Sequence, residues 1–361
     1  MIPRSTTECQ TESHIIHSDS PLQTCPSIAA IVSWQQQLAR SRITIEQLLK
    51  RLDISPEHYQ SQLLKPEKTK NFPLRVTESF IARMQPRDIN DPLLRQVLPI
   101  NDELVADPNY GPDPLNEKEF NAAPGFIQKY HGRALLIVTQ ACAIHCRYCF
   151  RKNFPYSENR PGLSGWQNSL DQLRKDASIR EIIFSGGDPL AVNDEYLSQL
   201  TESIATIPHI KRLRIHTRLP IVLPSRIDDA MIDWLSRWQG QKVIVIHCNH
   251  PNELNGEVRH ALNKLAKAKV TLLNQAVLLK GINDRAETQI ELAEKLFAFG
   301  VLPYYLHMLD KVTGAQHFEV SRQKALQLSD DIRQKLPGFL VPKLVEEIAG
   351  AHSKTPVYPL I

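Results

Sequence analysis

The chain has 361 residues, 42% of them hydrophobic, which is enough for a sizeable core in one large domain with attachments or in two domains. Its net charge of +4 comes without a run of Lys or Arg long enough for a nucleic-acid arm. No apolar stretch reaches the roughly 18 residues that a membrane-spanning helix needs. Residues 1–30 lack a basic start followed by an apolar segment, so no secretory leader is expected.

In chain order, residues 1–26 are polar and rich in Ser and Thr, and are expected to form a poorly ordered tail. Residues 27–130 read as a mainly helical N-terminal region with irregular connections. Within it, Thr44-Ile-Glu-Gln47 predicts a capping box opening a helix to Leu52, and a second helical pattern covers about Thr77–Met84. The stretch Asp107–Pro114 is rich in turn residues and reads as a connector.

From residue 131 to about 340 the pattern alternates. Apolar runs of strand length fall at 134–139, 181–185, 211–216, 242–247, 270–278 and 301–308. Amphipathic helical patterns lie near 166–177, 194–206, 227–238, 257–268, 285–299 and 320–335. Continuous apolar strands separated by helices predict βαβ units around a parallel sheet buried on both faces. Six such units suggest a partial (β/α)6 barrel of the TIM type, with a doubly wound open sheet as the alternative. In a barrel, functional groups gather at the C-terminal ends of the strands. Residues 341–361 are left as a separate C-terminal segment.

Of six cysteines, Cys9 and Cys25 lie in the tail and Cys248 stands alone, whereas Cys142, Cys146 and Cys149 form a C-x3-C-x2-C triplet just after the first apolar strand. Half the cysteines in one cluster is not a disulfide framework, and a reducing, cytoplasmic setting is expected. Three thiolates on one loop can hold three irons of a 4Fe–4S cube and leave the fourth iron open to a small molecule. A structural zinc site would want a fourth ligand, usually from a second spaced pair, and no such pair is present.

After the second strand comes Ser185-Gly-Gly-Asp-Pro189, where Gly186 and Gly187 let backbone approach a ligand closely. The triplet after strand one and a Gly-Gly-acid turn after strand two together resemble the radical S-adenosylmethionine (SAM) enzymes. In that class SAM chelates the open iron, and its reduction yields a 5'-deoxyadenosyl radical that removes an unactivated hydrogen. The resemblance narrows with Tyr130-His-Gly-Arg133, Cys146-Arg-Tyr-Cys-Phe-Arg151, Arg218-Leu-Pro-Ile-Val-Leu-Pro-Ser-Arg226, His250-Pro-Asn-Glu253, Asn274-Gln-Ala-Val-Leu-Leu-Lys-Gly-Ile-Asn-Asp284, Pro303-Tyr-Tyr305 and Lys354-Thr-Pro-Val357. These follow one another as in lysine 2,3-aminomutases, over about residues 80–361. The short bacterial form, which serves modification of elongation factor P, is the nearest likeness.

The resemblance implies a second cofactor, pyridoxal 5'-phosphate (PLP), carried as a Schiff base on Lys354. By spacing alone Ser353-Lys354-Thr355-Pro356 would read as a solvated tail. It further implies that Tyr130 and Arg133 hold the PLP phosphate, with Lys129 standing where the family has another Arg. Arg151 would pair with the substrate carboxylate, since its planar fork suits one. Asp310 and Glu347 would hold the distant ammonium of a dibasic substrate, and Gln275 would lie near SAM. Asp188 is expected to shape the SAM pocket rather than to perform acid–base work, and His247 and His250 to be core or loop-capping residues.

Two departures from the family pattern stand out. The glycine-rich run before the lysine is here Gly350-Ala-His-Ser353. Arg285 follows Asn283-Asp284 where longer members carry a zinc-binding cysteine, and the chain ends soon after Lys354, so no zinc is expected.

The implied activity is an L-lysine 2,3-aminomutase, an isomerase making (R)-β-lysine from L-lysine. The product would pass to the ligase that attaches it to elongation factor P, and a reducing electron donor would be needed. No nucleic-acid or membrane partner is expected, and the oligomeric state stays open between monomer and homo-oligomer. The alternatives are a glutamate or other amino-acid 2,3-aminomutase, which the acid at Asp310 disfavours, and a non-catalytic iron–sulfur scaffold.

Overall fold

Seven parallel strands follow one another in chain order, each after the first reached through a helix. The computed structural model describes residues 32–156 and 162–358. The tail expected over residues 1–26, with Cys9 and Cys25, lies outside the described residues. The strands are β1 (Asn121–Ala123), β2 (Phe126–Ile127), β3 (Arg133–Thr139), β4 (Glu181–Gly186), β5 (Arg212–Thr217), β6 (Gln241–His247), β7 (Thr271–Val277), β8 (Leu302–His307), β9 (Lys343–Glu346) and β10 (Thr355–Pro356). They form one sheet whose spatial order is the chain order. Pairing from β3 through β9 is parallel, while β1–β2, β2–β3 and β9–β10 are antiparallel.

The outer helices are Gly162–Lys175, Asp194–Ala205, Asp229–Arg237, Gly256–Lys267, Ala286–Ala298 and Arg322–Lys335. Among the described strands the two ends of the sheet, β1 and β10, do not pair, so this is an open (β/α)6 barrel. The strands and helices expected over residues 131–340 are all present. Their bounds differ only at the ends, where the last turn of a helix frays. By contrast, the described part of the region expected to be mainly helical, residues 27–130, is mostly turns and short segments, and the segment 341–361 adds β9 and β10 to the sheet.

Burial on both faces explains the continuous apolar strands. Every residue of β4 is buried, and a parallel strand covered on both sides has no face for water. The helices present one apolar stripe each. On Gly256–Lys267 the stripe is Val258, Ala261, Leu262 and Leu265, the i, i+3, i+4, i+7 rows of one face.

Between Trp34 and Phe120 the chain carries three short α-helices, Trp34–Ala39, Ile45–Arg51 and Glu78–Ile81, joined by turns and single-turn 3-10 segments. Prolines at 56, 66, 73, 86, 92 and 99 interrupt it before longer helices can form. The Thr44 capping box is present, with Thr44 Oγ1 accepting from the Gln47 amide at 3.1 Å and the Gln47 side chain accepting from the Thr44 amide at 2.9 Å. Trp34, Leu48, Phe80, Leu93 and Leu94 share one core with barrel residues such as Ile182 and Phe184. Each such side chain contributes about 1.5–3 kcal/mol when fully buried. Arg83 reinforces the contact, its Nη2 donating to the Ile221 carbonyl at 2.6 Å. This region therefore packs on the barrel, where it also supports the loop after β3.

Candidate active site

A cavity of about 510 Å³ opens at the C-terminal ends of the strands. That is the size range of small-ligand sites. Every candidate cluster, cofactor and substrate residue expected from the sequence lines it: Cys142, Cys146 and Cys149; Gly186, Gly187 and Asp188; Gln275 on β7; Arg151; Tyr130 and Arg133; and Asp310, Glu347 and Lys354. Residues separated by more than 200 positions meet because the strand ends do.

The cysteine loop is anchored by the residues between its cysteines. The Arg147 guanidinium donates to both carboxylate oxygens of Glu103 at 2.8 and 2.6 Å and lies over the Phe72 ring. His145 stacks on the same ring at 4.5 Å between centroids, and its Nδ1 donates to the Pro73 carbonyl at 2.7 Å. The loop is thus fastened on its outer side, and the three cysteines line the cavity. They are free thiols. Burial first, and then the neighbouring cysteine, pushes the Cys149 thiol up to about 12 and raises Cys142 well above its usual value. Such thiols ionise against a metal rather than in its absence.

Among the described residues no three His, Cys, Asp or Glu side chains converge as the ligands of a single ion must. A cube takes its thiolates on three separate irons, so the spread triplet fits a 4Fe–4S cluster.

The Gly-Gly turn has a packing reason as well as a binding one. Gly186 has φ +126°, and a Cβ there would sit 2.4 Å from the Thr139 carbonyl oxygen. At Gly187 a Cβ would sit 2.5 Å from the Ala141 oxygen and 2.6 Å from that of Gln140. The start of the cysteine loop crosses directly over the turn, held by Gly187 and Asp188 amides donating to Thr139 and Ala141, each at 2.7 Å. Asp188 accepts from Thr217 Oγ1, the Leu190 amide, the Arg218 amide and the Leu219 amide at 2.7–3.1 Å. With both oxygens committed, it braces the turn against the end of β5 and has no capacity for proton transfer.

Behind Cys146 lies a buried polar network. Arg218 Nη1 donates to Cys146 Sγ at 2.7 Å and to Tyr148 Oη at 2.8 Å, while Nη2 donates to Gln96 at 2.6 Å and to Glu253 at 3.0 Å. His247 packs its ring on Tyr148, with Nε2 3.1 Å from the phenol oxygen. His250 caps its turn, Nδ1 accepting from the Asn252 amide at 3.2 Å.

The opposite wall carries the C-terminal segment. Glu347 accepts from Lys354 Nζ at 2.7 Å, from Lys129 Nζ at 3.0 Å and from Tyr130 Oη at 3.0 Å. Burial would raise this carboxyl, but the two ammonium groups outweigh it and hold Glu347 well below the usual carboxylate range. Burial and then the Glu347 charge push Asp310 up to about 7. Burial and the same charge raise the Tyr130 phenol. Lys354 also lies over the Tyr305 ring at 5.7 Å, and Arg133 over Tyr130 at 5.3 Å.

Between the walls, Arg214 Nε and His216 Nε2 are buried with no hydrogen-bond partner, on a strand that lines the cavity. Burial, then Arg214 and Lys354, hold His216 neutral, and burial followed by Lys354 does the same to His307. Orphaned donors beside a lysine, a tyrosine and two further cations are what an anionic, hydrogen-bonding cofactor such as PLP would satisfy, so the residues present fit it.

Glu117, Arg214, His216, Arg218 and His307 were not singled out from the sequence. A signal existed for two of them. In Arg212-Leu-Arg-Ile-His-Thr217 polar residues alternate with apolar ones in an otherwise buried strand, which marks a face turned toward a polar interior. Glu117 sits in a turn with no local motif, and only the tertiary fold brings it to Arg151.

An open (β/α)6 barrel with three cysteines at the C-terminal face defines a radical SAM enzyme, and a family model described as a 4Fe-4S single cluster domain matches residues 131–216. The chain is 47% identical over 324 residues to an L-lysine 2,3-aminomutase of Escherichia coli (strain K12), covering 90% of this chain and 94% of that protein. It is 43% identical over 330 residues to one of Haemophilus influenzae, covering 91% and 97%. Among solved structures, a radical SAM methyltransferase from Sphaerobacter thermophilus is similar at a TM-score of 0.44 and 16% identity, covering 61% of this chain and 68% of that one. The chain belongs to the L-lysine 2,3-aminomutase family, and is therefore an isomerase whose cofactors are a 4Fe–4S cluster, SAM and PLP.

Proposed function

We propose that this protein converts (S)-α-lysine to (R)-β-lysine by a radical 1,2-amino shift, and that the product serves β-lysylation of elongation factor P. The observation that carries the reading is the lining of one cavity, which brings together a guanidinium, Arg151, two carboxylates, Asp310 and Glu347, and Lys354. A substrate with a carboxylate at one end and an ammonium at the other finds a partner for each in that lining, and the second carboxylate of a dicarboxylic amino acid would face Asp310 and Glu347.

When bound, the reduced cluster and SAM supply a radical that removes an unactivated hydrogen, and PLP supplies the π system across which the amine moves. The rest falls to the chain. Cys142, Cys146 and Cys149 hold the cluster, and Gly186, Gly187, Asp188 and Gln275 shape the space for SAM. Lys354 carries PLP, with Tyr130, Arg133 and the point charge of Lys129 at its phosphate. Arg151 takes the substrate carboxylate.

Glu347 has a double part in this reading. It is the counter-ion of Lys354 and of Lys129, and with Asp310 it would also face the substrate's side-chain ammonium. Asp310 joins it, and an arriving ammonium draws Asp310 back toward its charged form. Fixing both ends of a flexible diamine places the reacting carbons, which is the protein's share of the rate.

The test is incubation of the reconstituted, reduced protein with SAM, PLP and L-lysine, with chiral analysis of the product. Formation of β-lysine in the R configuration is expected, and its absence with cluster and PLP both loaded would sink the proposal. The link to elongation factor P is tested separately, by the mass of that factor from cells lacking this protein. A factor still carrying β-lysine would break the link while leaving the mutase activity standing. The free thiols and the required reductant suit a reducing cytoplasm.

A further inference from the structure

Arg151 is gripped before any ligand reaches it. Its Nε donates to Glu117 Oε2 at 2.8 Å and its Nη2 to Glu117 Oε1 at 2.6 Å, while Nη1 donates to Ser185 Oγ at 2.8 Å. Nη1 also donates to the Gly186 carbonyl at 3.4 Å, so both of its N–H groups are taken. The two charged side chains are 7% and 8% exposed, so water neither screens the pair nor gives it room to swing. Glu117 is itself held, its amide donating to Asp113 Oδ1 at 3.1 Å at the start of the turn that leads into β1.

The guanidinium has five N–H donors in one plane. Glu117 takes the side edge, Nε with one N–H of Nη2. The second N–H of Nη2 lies on the end edge, which it shares with Nη1. Arg151, Glu117, Ser185 and Gly186 all line the cavity.

We propose that Glu117 is a positioning residue that locks the plane of Arg151 so that the one uncommitted N–H, the second of Nη2 on the end edge, meets the substrate carboxylate. This rests on the reading that Arg151 binds that carboxylate. It also assigns Ser185, the first residue of the Ser-Gly-Gly-Asp turn, to the same task. The charge of Glu117 offsets that of Arg151, so the free Nη2 N–H holds a carboxylate by direction rather than by charge alone. An anion placed elsewhere on the wall gains little from a neutral pair.

The experiment compares L-lysine with 1,5-diaminopentane, which is lysine without its carboxylate, by calorimetry on the protein loaded with cluster and PLP. Glu117→Gln is expected to weaken lysine binding by roughly 10- to 100-fold, the cost of a misplaced contact, and to leave the diamine unchanged. Equal loss for both ligands would mean a scaffold role and would overturn the proposal. Tighter lysine binding would overturn it too, because Glu117 would then be a competitor for the fork.

Glu117→Asp keeps the charge and withdraws the carboxylate by one methylene. It is expected to show the same selective loss to a smaller degree, and a loss shared by both ligands would again overturn the proposal. Arg151→Gln separates the two readings. If it spares lysine binding, the assignment of Arg151 fails. If it is selective for lysine, then Glu117→Gln added to it must cause no further loss, and any further selective loss overturns the role of Glu117.

Discussion

Lys354 Nζ donates to Glu347 Oε2 at 2.7 Å, between two residues seven apart across the link from β9 to β10. The same carboxylate, through Oε1, binds Lys129 and Tyr130 on the segment before β3. One side chain thus ties the segment before β3 to the link between β9 and β10 at the cavity. Lys354→Ala is expected to abolish the PLP absorbance band and all turnover, while the cluster band remains. Glu347→Gln removes one of two carboxylates facing the substrate's ammonium. A charge-assisted hydrogen bond contributes about 1.5–3 kcal/mol, so KM for lysine should rise roughly ten- to a hundredfold with PLP content retained. Loss of PLP alongside would mean that Glu347 serves the cofactor rather than the substrate.

Asp310 gives the reaction a pH dependence. With its carboxyl raised to about 7 by burial and by the Glu347 charge, it is protonated in the free protein below that pH. An ammonium needs the ionised form, so kcat/KM for lysine should climb through about pH 7 and level off above it. Stability runs the other way. Between about 4, where an unfolded Asp ionises, and about 7, the folded state holds a proton that the unfolded state has released. Folding stability contributed by this group therefore falls as pH rises through that window and stays lower above it. Asp310→Asn should remove both effects: a flat, much reduced kcat/KM profile and a higher melting temperature than the parent at pH 8. A steep profile in the Asn variant would assign the titration to another group.

The barrel was legible because its strands are buried on both faces and its helices on one, and both patterns are local. β4, with Ile182, Ile183 and Phe184 in line, could be read without any partner known. The cysteine triplet was legible because one loop must supply all three ligands. Lys354 was legible only through the family resemblance, since nothing in its own neighbourhood differs from a solvated tail until β9 and β10 carry it to the cavity. Glu117 was hidden for the same reason: its role is defined by Arg151, 34 residues away. The Gly-Gly turn was read as an approach for a ligand, whereas the atoms closest to its missing Cβ positions are backbone of residues 139–141.

That contact makes Gly187 a sensitive position for the cluster. In Gly187→Ala the added carbon would meet the Ala141 and Gln140 oxygens at 2.5 and 2.6 Å, and backbone must move to admit it. The segment that moves leads directly into Cys142. The variant is expected to fold, with near-normal far-ultraviolet circular dichroism, and to bind well under half the iron and sulfide of the parent after reconstitution. Full iron and sulfide content would show that the loop absorbs the shift before it reaches the cysteines.

A buried ion pair on the loop's outer side does the complementary work. Arg147 and Glu103 are 4% and 5% exposed, and Arg147 sits between Cys146 and Cys149. Removing one partner of a buried pair leaves the other charge without compensation, at a cost of about 3–5 kcal/mol. Glu103→Ala should therefore lower the denaturant midpoint substantially and also release the loop from its support on Phe72. Replacing both partners, Glu103→Leu with Arg147→Met, removes the stranded charge and restores apolar contact. The double variant is expected to recover most of the stability, and its cluster content then reports whether the pair's direction, rather than its energy, orients the cysteines. If the double variant is as unstable as Glu103→Ala, the loss comes from packing around Phe72 and not from the uncompensated Arg147 charge.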